Sequence, residues 1–179
     1  RSTLFPYTTL FRSRTGAVAN NEILSITKER VAGYKAALVD NGIKEKEALI
    51  QYCPHGSLKQ SEVDRAVTDL LLLKVRPDAF LCLSDKITTG CLRTLKEKKF
   101  KVPDDMGLIG FSNSDLTELL DPALSIIKQP AMEMGEIATT LLLQLIESKR
   151  PITDFETRIL APQLLIRNSS ASKLKKIKV

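Results

Sequence analysis

Residues 77–85 read Pro-Asp-Ala-Phe-Leu-Cys-Leu-Ser-Asp, and residues 102–111 read Val-Pro-Asp-Asp-Met-Gly-Leu-Ile-Gly-Phe. In each, proline and aspartate break what precedes, and a short apolar run without polar alternation follows. Such a run is a strand covered on both faces, as in a parallel sheet. The two candidates are Ala79–Leu83 and Met106–Phe111. Between them, Asp85–Lys98 sets Ile87, Cys91 and Leu95 at helical spacing. Strand, helix and strand in this order predict a parallel pair joined by a crossover helix.

The same rhythm extends in both directions. Upstream, Thr27–Asn41 has helical spacing through Val31, Tyr34 and Leu38, with Thr27 as candidate cap and Gly42 as stop. Ala48–Tyr52 is a strand candidate and Pro54–Lys59 a loop. Ser61–Lys74 is a second helix, with Ser61 and Asp64 in a capping pattern. Downstream, Leu124–Lys128 is extended and Met132–Ser148 is a long apolar helix. Phe155–Leu160 and Leu164–Arg167 read as two closing strands. The expected fold is α/β, a doubly wound parallel sheet with flanking helices. Ligands of such sheets sit beyond the carboxyl ends of the strands, here at residues 53–58, 84–85 and 112–115.

Composition narrows the function classes. No run approaches the roughly 18 apolar residues of a membrane span. Three cysteines (Cys53, Cys82, Cys91) without metal spacing argue against a disulfide scaffold or a zinc site and fit a reducing cytoplasm. One histidine, His55, excludes a multi-histidine metal centre. The net charge is +6, but Arg1, Arg12, Arg14, Lys173, Lys175, Lys176 and Lys178 lie at the two ends. Without those seven, 20 basic residues face 21 acidic ones, so the body is −1 and carries no basic groove signal. Residues 169–179 read as a solvated basic tail. No Ser/His/Asp set, Gly-rich phosphate loop or paired carboxylates emerge, so no enzyme, catalytic residue or cofactor is expected.

Residues 1–13 (Arg1 to Ser13, RSTLFPYTTLFRS) have no secretory pattern. They resemble the translation of a DNA sequencing adapter, which makes them a foreign segment; the alternative is an edge strand with Pro6 at a bulge.

Six separate segments resemble one family, the lactose-repressor (LacI/GalR) regulators. They are Arg30-Val-Ala-Gly-Tyr-Lys-Ala-Ala-Leu38, Pro77–Asp85 with Gly90, Val102–Phe111, Pro122-Ala-Leu-Ser-Ile-Ile-Lys-Gln-Pro130, Met134-Gly135 with Ala138, and Pro162-Gln-Leu-Leu-Ile-Arg-Asn-Ser169. They occur in family order and span about residues 16–170. The resemblance implies a periplasmic-binding-protein-like (type I) core in which two α/β subdomains close on a small effector, with a helix-turn-helix reading operator DNA. It also implies a truncated chain. Residues 14–128 and 153–168 would be the carboxyl-terminal subdomain. Residues 129–152 would cross into the other subdomain, and the DNA-binding headpiece would lie upstream.

The resemblance marks the site as well. Arg30 matches the family's effector arginine, and a guanidinium fork can grip hydroxyls or a carboxylate. Ser84 holds the effector-facing place after the strand Ala79–Leu83, with Asp85 as the structural helix start. Ser112 stands where the family usually has an aspartate, leaving Asn113 or Asp115 to compensate, or implying an acidic effector. His55 is near the place of a stacking ring, and Gln129 sits at the crossover. Ile87, Cys91, Leu92 and Leu95, with the segment before Pro122, would form a homodimer interface. The implied function is sensing of a sugar-like effector by a cytoplasmic regulator, with no membrane partner. The rival is a periplasmic or receptor-associated sugar-binding protein of the same fold.

Overall fold

The computed structural model describes residues 14–55, 58–148 and 156–171. The adapter-like segment, Phe155 and most of the basic tail lie outside the described residues. Six strands form one sheet: β1 Thr15–Ala19, β2 Ile50–Tyr52, β3 Ala79–Cys82, β4 Gly107–Phe111, β5 Ser125–Lys128 and β6 Gln163–Leu165. The order is β2-β1-β3-β4-β5-β6. The first five run parallel and β6 is antiparallel to β5. Helices α1 Ser25–Asp40, α2 Gln60–Leu71 and α3 Asp85–Glu97 supply the crossovers, and α4 Ala131–Glu147 follows β5.

Alternation along the strands divides the core into two layers. Ala17, Ala19, Leu81 and Leu83 face Val31, Tyr34 and Leu38 of α1. Val18, Phe80, Cys82 and Leu108 face α2 and α3. Fully buried side chains such as Phe80, Leu70 and Leu95 contribute about 1.5–3 kcal/mol each to this packing. Gly90 lets α2 approach α3, since a Cβ there would lie 3.0 Å from Gln60 Oε1 and 3.2 Å from Val63 Cγ1.

The closing motif acts as a strap. Ser169 Oγ donates to the Leu108 carbonyl of β4 (2.6 Å) and accepts the Ser125 N–H of β5 (2.8 Å). Arg167 donates to Thr117 Oγ1 (2.9 Å) and the Leu124 carbonyl (3.1 Å). The arginine and serine of that motif therefore hold two strands and a turn together.

Several expectations need correction. Strand β1, the second in the sheet order, has no counterpart among the expected strands. Helix α1 begins at Ser25 with Leu24 at the cap position, and α2 begins at Gln60 with Lys59 there. Neither Thr27 nor Ser61 caps a helix; Thr27 is buried, and Asp64 instead accepts from Gln60 Nε2 (2.8 Å) and Thr94 Oγ1 (2.7 Å). Residues 156–162 carry no strand, so β6 alone closes the sheet. Ile87, Cys91, Leu92 and Leu95 are all buried within this chain, against the sheet and α2. Their apolar surface is used by the fold and cannot form a dimer interface. Helix α4 is the reverse case: no residue of it is buried, and Met132 and Ile146 are 80% and 70% exposed.

Candidate functional site

One crossover runs from β1 out to β2 and the next returns from β2 past β1 to β3, so the sheet opens a crevice beyond the carboxyl ends of β1 and β3. Arg30, in the second turn of α1, reaches across this crevice. Its Nη1 donates to the Leu83 carbonyl at the end of β3 (2.7 Å), and its Nη2 donates to Gln129 Oε1 (3.0 Å). The guanidinium lies 4.0 Å from the centroid of the Phe111 ring. Burial lowers its pKa from the ordinary arginine value. Stacking on an aromatic face with two donors committed fixes the plane of the fork.

A second wall comes from β4 and α3. A Cβ on Gly110 would stand 2.1 Å from Thr88 Oγ1, so only glycine allows this approach. Thr88 Oγ1 donates to the Ser84 carbonyl (2.7 Å) and lies 3.1 Å from the Phe111 carbonyl, tying the exit of β4 to the start of α3. That contact sets Ser112 Oγ against Asp85 Oδ1, to which it donates. Asp85 occupies the first turn of α3, where the helix dipole favours a negative charge. Ser84 holds the cap position without a side-chain cap bond, and its hydroxyl reaches Asn20 Oδ1 at 3.4 Å.

The result is a cleft of about 210 Å³ whose lining includes Arg30, Ser84, Asp85, Ser112, Asn113 and Gln129, with Phe111 and Ser114 beside them. Six of the seven residues singled out from the sequence as site or cleft residues thus line one cleft. Its carboxylate is that of Asp85. Asn113 does not compensate for Ser112: its Nδ2 donates to the Gln129 carbonyl (3.0 Å) and its Oδ1 accepts the Gln129 N–H (2.9 Å). Asp115 pairs with Lys128 at the surface (3.2 Å). Phe111 was read only as the end of a strand; the aromatic after Gly110, at a strand exit, was the signal for its place in the cleft.

His55 is not brought to this cleft. Its ring is 64% exposed and bonds Glu62 through Nδ1, while its backbone N–H donates to Glu62 Oε2 (3.0 Å). That backbone bond holds the Glu62 carboxyl below its ordinary range. Burial pushes the Cys53 thiol up to about 12 and Cys91 well above the usual range, so neither is a reactive thiolate. Among the described residues no His, Cys, Asp or Glu group is arranged to hold a metal ion, and no helix is long and apolar enough to cross a membrane. Beside the polar cleft lies an apolar groove of about 300 Å³, bounded by Phe111, Gln129 and Pro130 on one side and by Met134, Ile137 and Leu141 of α4 on the other.

Comparison with known proteins agrees with this architecture. The model of the periplasmic binding protein-like domain family matches residues 14–170, and the chain belongs to that family. The HTH-type transcriptional repressor CytR of Escherichia coli K12 is 34% identical over 157 residues, covering 88% of this chain and 45% of CytR. The ribose operon repressor of Haemophilus influenzae is 32% identical over 161 residues, covering 87% and 46%. The solved transcriptional repressor ascG of Escherichia coli superposes with a TM-score of 0.75 at 27% identity, covering 90% of this chain and 57% of that one. A LacI family transcriptional regulator from Mycobacterium smegmatis has a TM-score of 0.79 at 23% identity, covering 91% and 59%, and supports the fold. The chain spans about half the length of the curated relatives it matches. These relatives are named as transcriptional repressors, which accords with the LacI/GalR resemblance of the six sequence segments.

Proposed function

We propose that this chain is the effector-sensing part of a LacI-type transcriptional regulator, and that it acts without catalysing a reaction. The observation that carries this reading is the cleft at the β1/β3 exits, where the stacked Arg30 faces the Asp85–Ser112 pair. An arginine fork, a carboxylate and small hydroxyls within one cleft suit a sugar-like molecule with several hydrogen-bonding groups. Residues 14–128 and 153–168 form one subdomain in this reading, and residues 129–152 belong to a second one that closes over the cleft. The bare α4 supports that division, because a helix with no buried side chain has its packing partner elsewhere. The effector changes the balance between two closures, and a separate DNA-reading segment of the whole cytoplasmic protein responds. The working unit is a homodimer. Leu116 and Leu119, before Pro122, remain exposed for that contact, whereas the core residues of α3 do not.

Thermal-shift screening of neutral sugars, nucleosides and their phosphates against the full-length regulator, followed by calorimetry, tests the site. Arg30→Ala should weaken the effector found by about 1.5–3 kcal/mol, the scale of a hydrogen bond to a charged group. Arg30→Lys should recover little of this, since a point charge does not reproduce the planar fork. Unchanged affinity in Arg30→Ala would remove the cleft from consideration.

A further inference from the structure

Gln129 lies where three depressions meet. It lines the polar cleft, the apolar groove along α4 and a third hollow beside Lys128 and Glu133. It is also the last residue before Pro130, at the cap position of α4, so it joins the cleft to the start of that helix. Its backbone is clasped at both ends by the Asn113 side chain, and its side chain is held by Arg30. Arg30 is thus at once the cation of the polar cleft and the anchor of the crossover.

We propose that Arg30, Gln129 and Asn113 form a latch that ties occupancy of the cleft to the path of the chain into α4. Asn113 is the fixed hinge plate, because its amide is fully committed to the Gln129 backbone. The Arg30–Gln129 bond is the part that moves. A ligand that takes Nη2 of Arg30 displaces Gln129 Oε1 and frees the crossover on its side-chain side. Gln129 and Asn113 are then positioning residues, and Gln129 competes with the ligand for the arginine. This assignment rests on the reading of the cleft as an effector site. The latch itself exists without ligand and can be measured without one.

Site-resolved hydrogen exchange on the ligand-free chain is the test. Gln129→Met keeps the length of the side chain but removes the acceptor. Exchange of the backbone N–H at position 129, and of the Met134 N–H that donates to the Pro130 carbonyl, should rise about tenfold, the loss of one charge-assisted bond. Amides of β3 should stay unchanged as the control for the fold. Gln129→Glu, which restores an acceptor, should return the rates to the original level or below. At these two amides Arg30→Met should raise exchange at least as much as Gln129→Met, since it also releases the Leu83 carbonyl, and adding Gln129→Met to it should change nothing further there, because one bond cannot be lost twice. Unchanged rates in Gln129→Met, a rise shared equally by β3, or additive effects in the double variant would each overturn the latch. None of these outcomes depends on finding an effector, so a failed effector screen and a failed latch remain separate results.

Discussion

Gly110 shows how one missing atom builds the cleft. Its Cβ would overlap Thr88 Oγ1 at 2.1 Å and crowd Cys82 Cβ at 2.9 Å. Gly110→Ala should therefore push β4 away from α3 and cost about 1–3 kcal/mol in chemical denaturation, the range of core overpacking. Adding Thr88→Ala should recover part of that loss, because the threonine is the nearest obstacle. A Gly110→Ala protein as stable as the parent would mean that the wall of the cleft is not set by this contact. Lys99 is the opposite case, a side chain where glycine would serve better. It holds φ 62° just past α3, with its N–H on the Lys96 carbonyl and the next N–H, of Phe100, on the Leu95 carbonyl. That is the glycine position of a helix-ending Schellman motif. Lys99→Gly should raise stability by about 1 kcal/mol, the scale of the left-handed penalty for an L-residue, and the denaturation midpoint reads it directly.

At the scale of elements, α1 is fastened to the sheet by Tyr34, whose hydroxyl donates to the Thr15 carbonyl at 2.5 Å. Burial first, then Glu45, raises its pKa from 10.0 to about 12. The neutral phenol is the favoured form in the fold. Its contribution is complete below pH 10 and is lost as pH rises through about 12. Tyr34→Phe should cost about 1 kcal/mol at neutral pH and flatten the alkaline decline that the parent shows in that window. An identical decline in both proteins would place the alkaline sensitivity elsewhere. The elements themselves were legible in the chain to unequal degrees. Uninterrupted apolar runs identified β3 and β4, and helical spacing with the Gly42 stop identified α1. Strand β1 escaped because Thr-Gly-Ala-Val-Ala is small and short, and only its neighbours on both sides make it a strand. The starts of α1 and α2 were misplaced because Leu24 and Lys59 stand at the cap positions, so the usual polar signal is missing, whereas α3 starts at Asp85 as expected. In the site, Arg30, Ser84 and Gln129 were found through motifs around them. The exchange of roles between Ser112 and Asp85 was not legible, since it depends on a contact across 27 residues. The apolar face of α3 was read correctly as a face and wrongly as an exterior one, because spacing does not say which neighbour covers it.

For the whole molecule, α4 sets the solution behaviour. Met132, Leu142, Leu143 and Ile146 are each more than half exposed. Exposed apolar surface of this extent promotes association. The 179-residue chain should bind a hydrophobic dye and self-associate with rising concentration in sedimentation velocity. Replacing Leu142 and Ile146 with lysine should reduce both without lowering the unfolding temperature, since neither side chain is buried by the fold. A dye-negative monomer would contradict the reading that this helix has a partner in a second subdomain.

The strap of residues 163–170 has a consequence for solubility. Strand β5 is made 44 residues before Ser169, the side chain that caps its N–H and joins it to β4. A chain that stops short of that serine presents β5 as an additional open edge, without its last partner and without the hydroxyl that pins it. An open edge is a template for pairing with a neighbouring chain. A chain cut before residue 163 should therefore aggregate more readily than one that includes residues 163–170, and light scattering reads the difference. The strap thus guards against aggregation as much as it completes a fold.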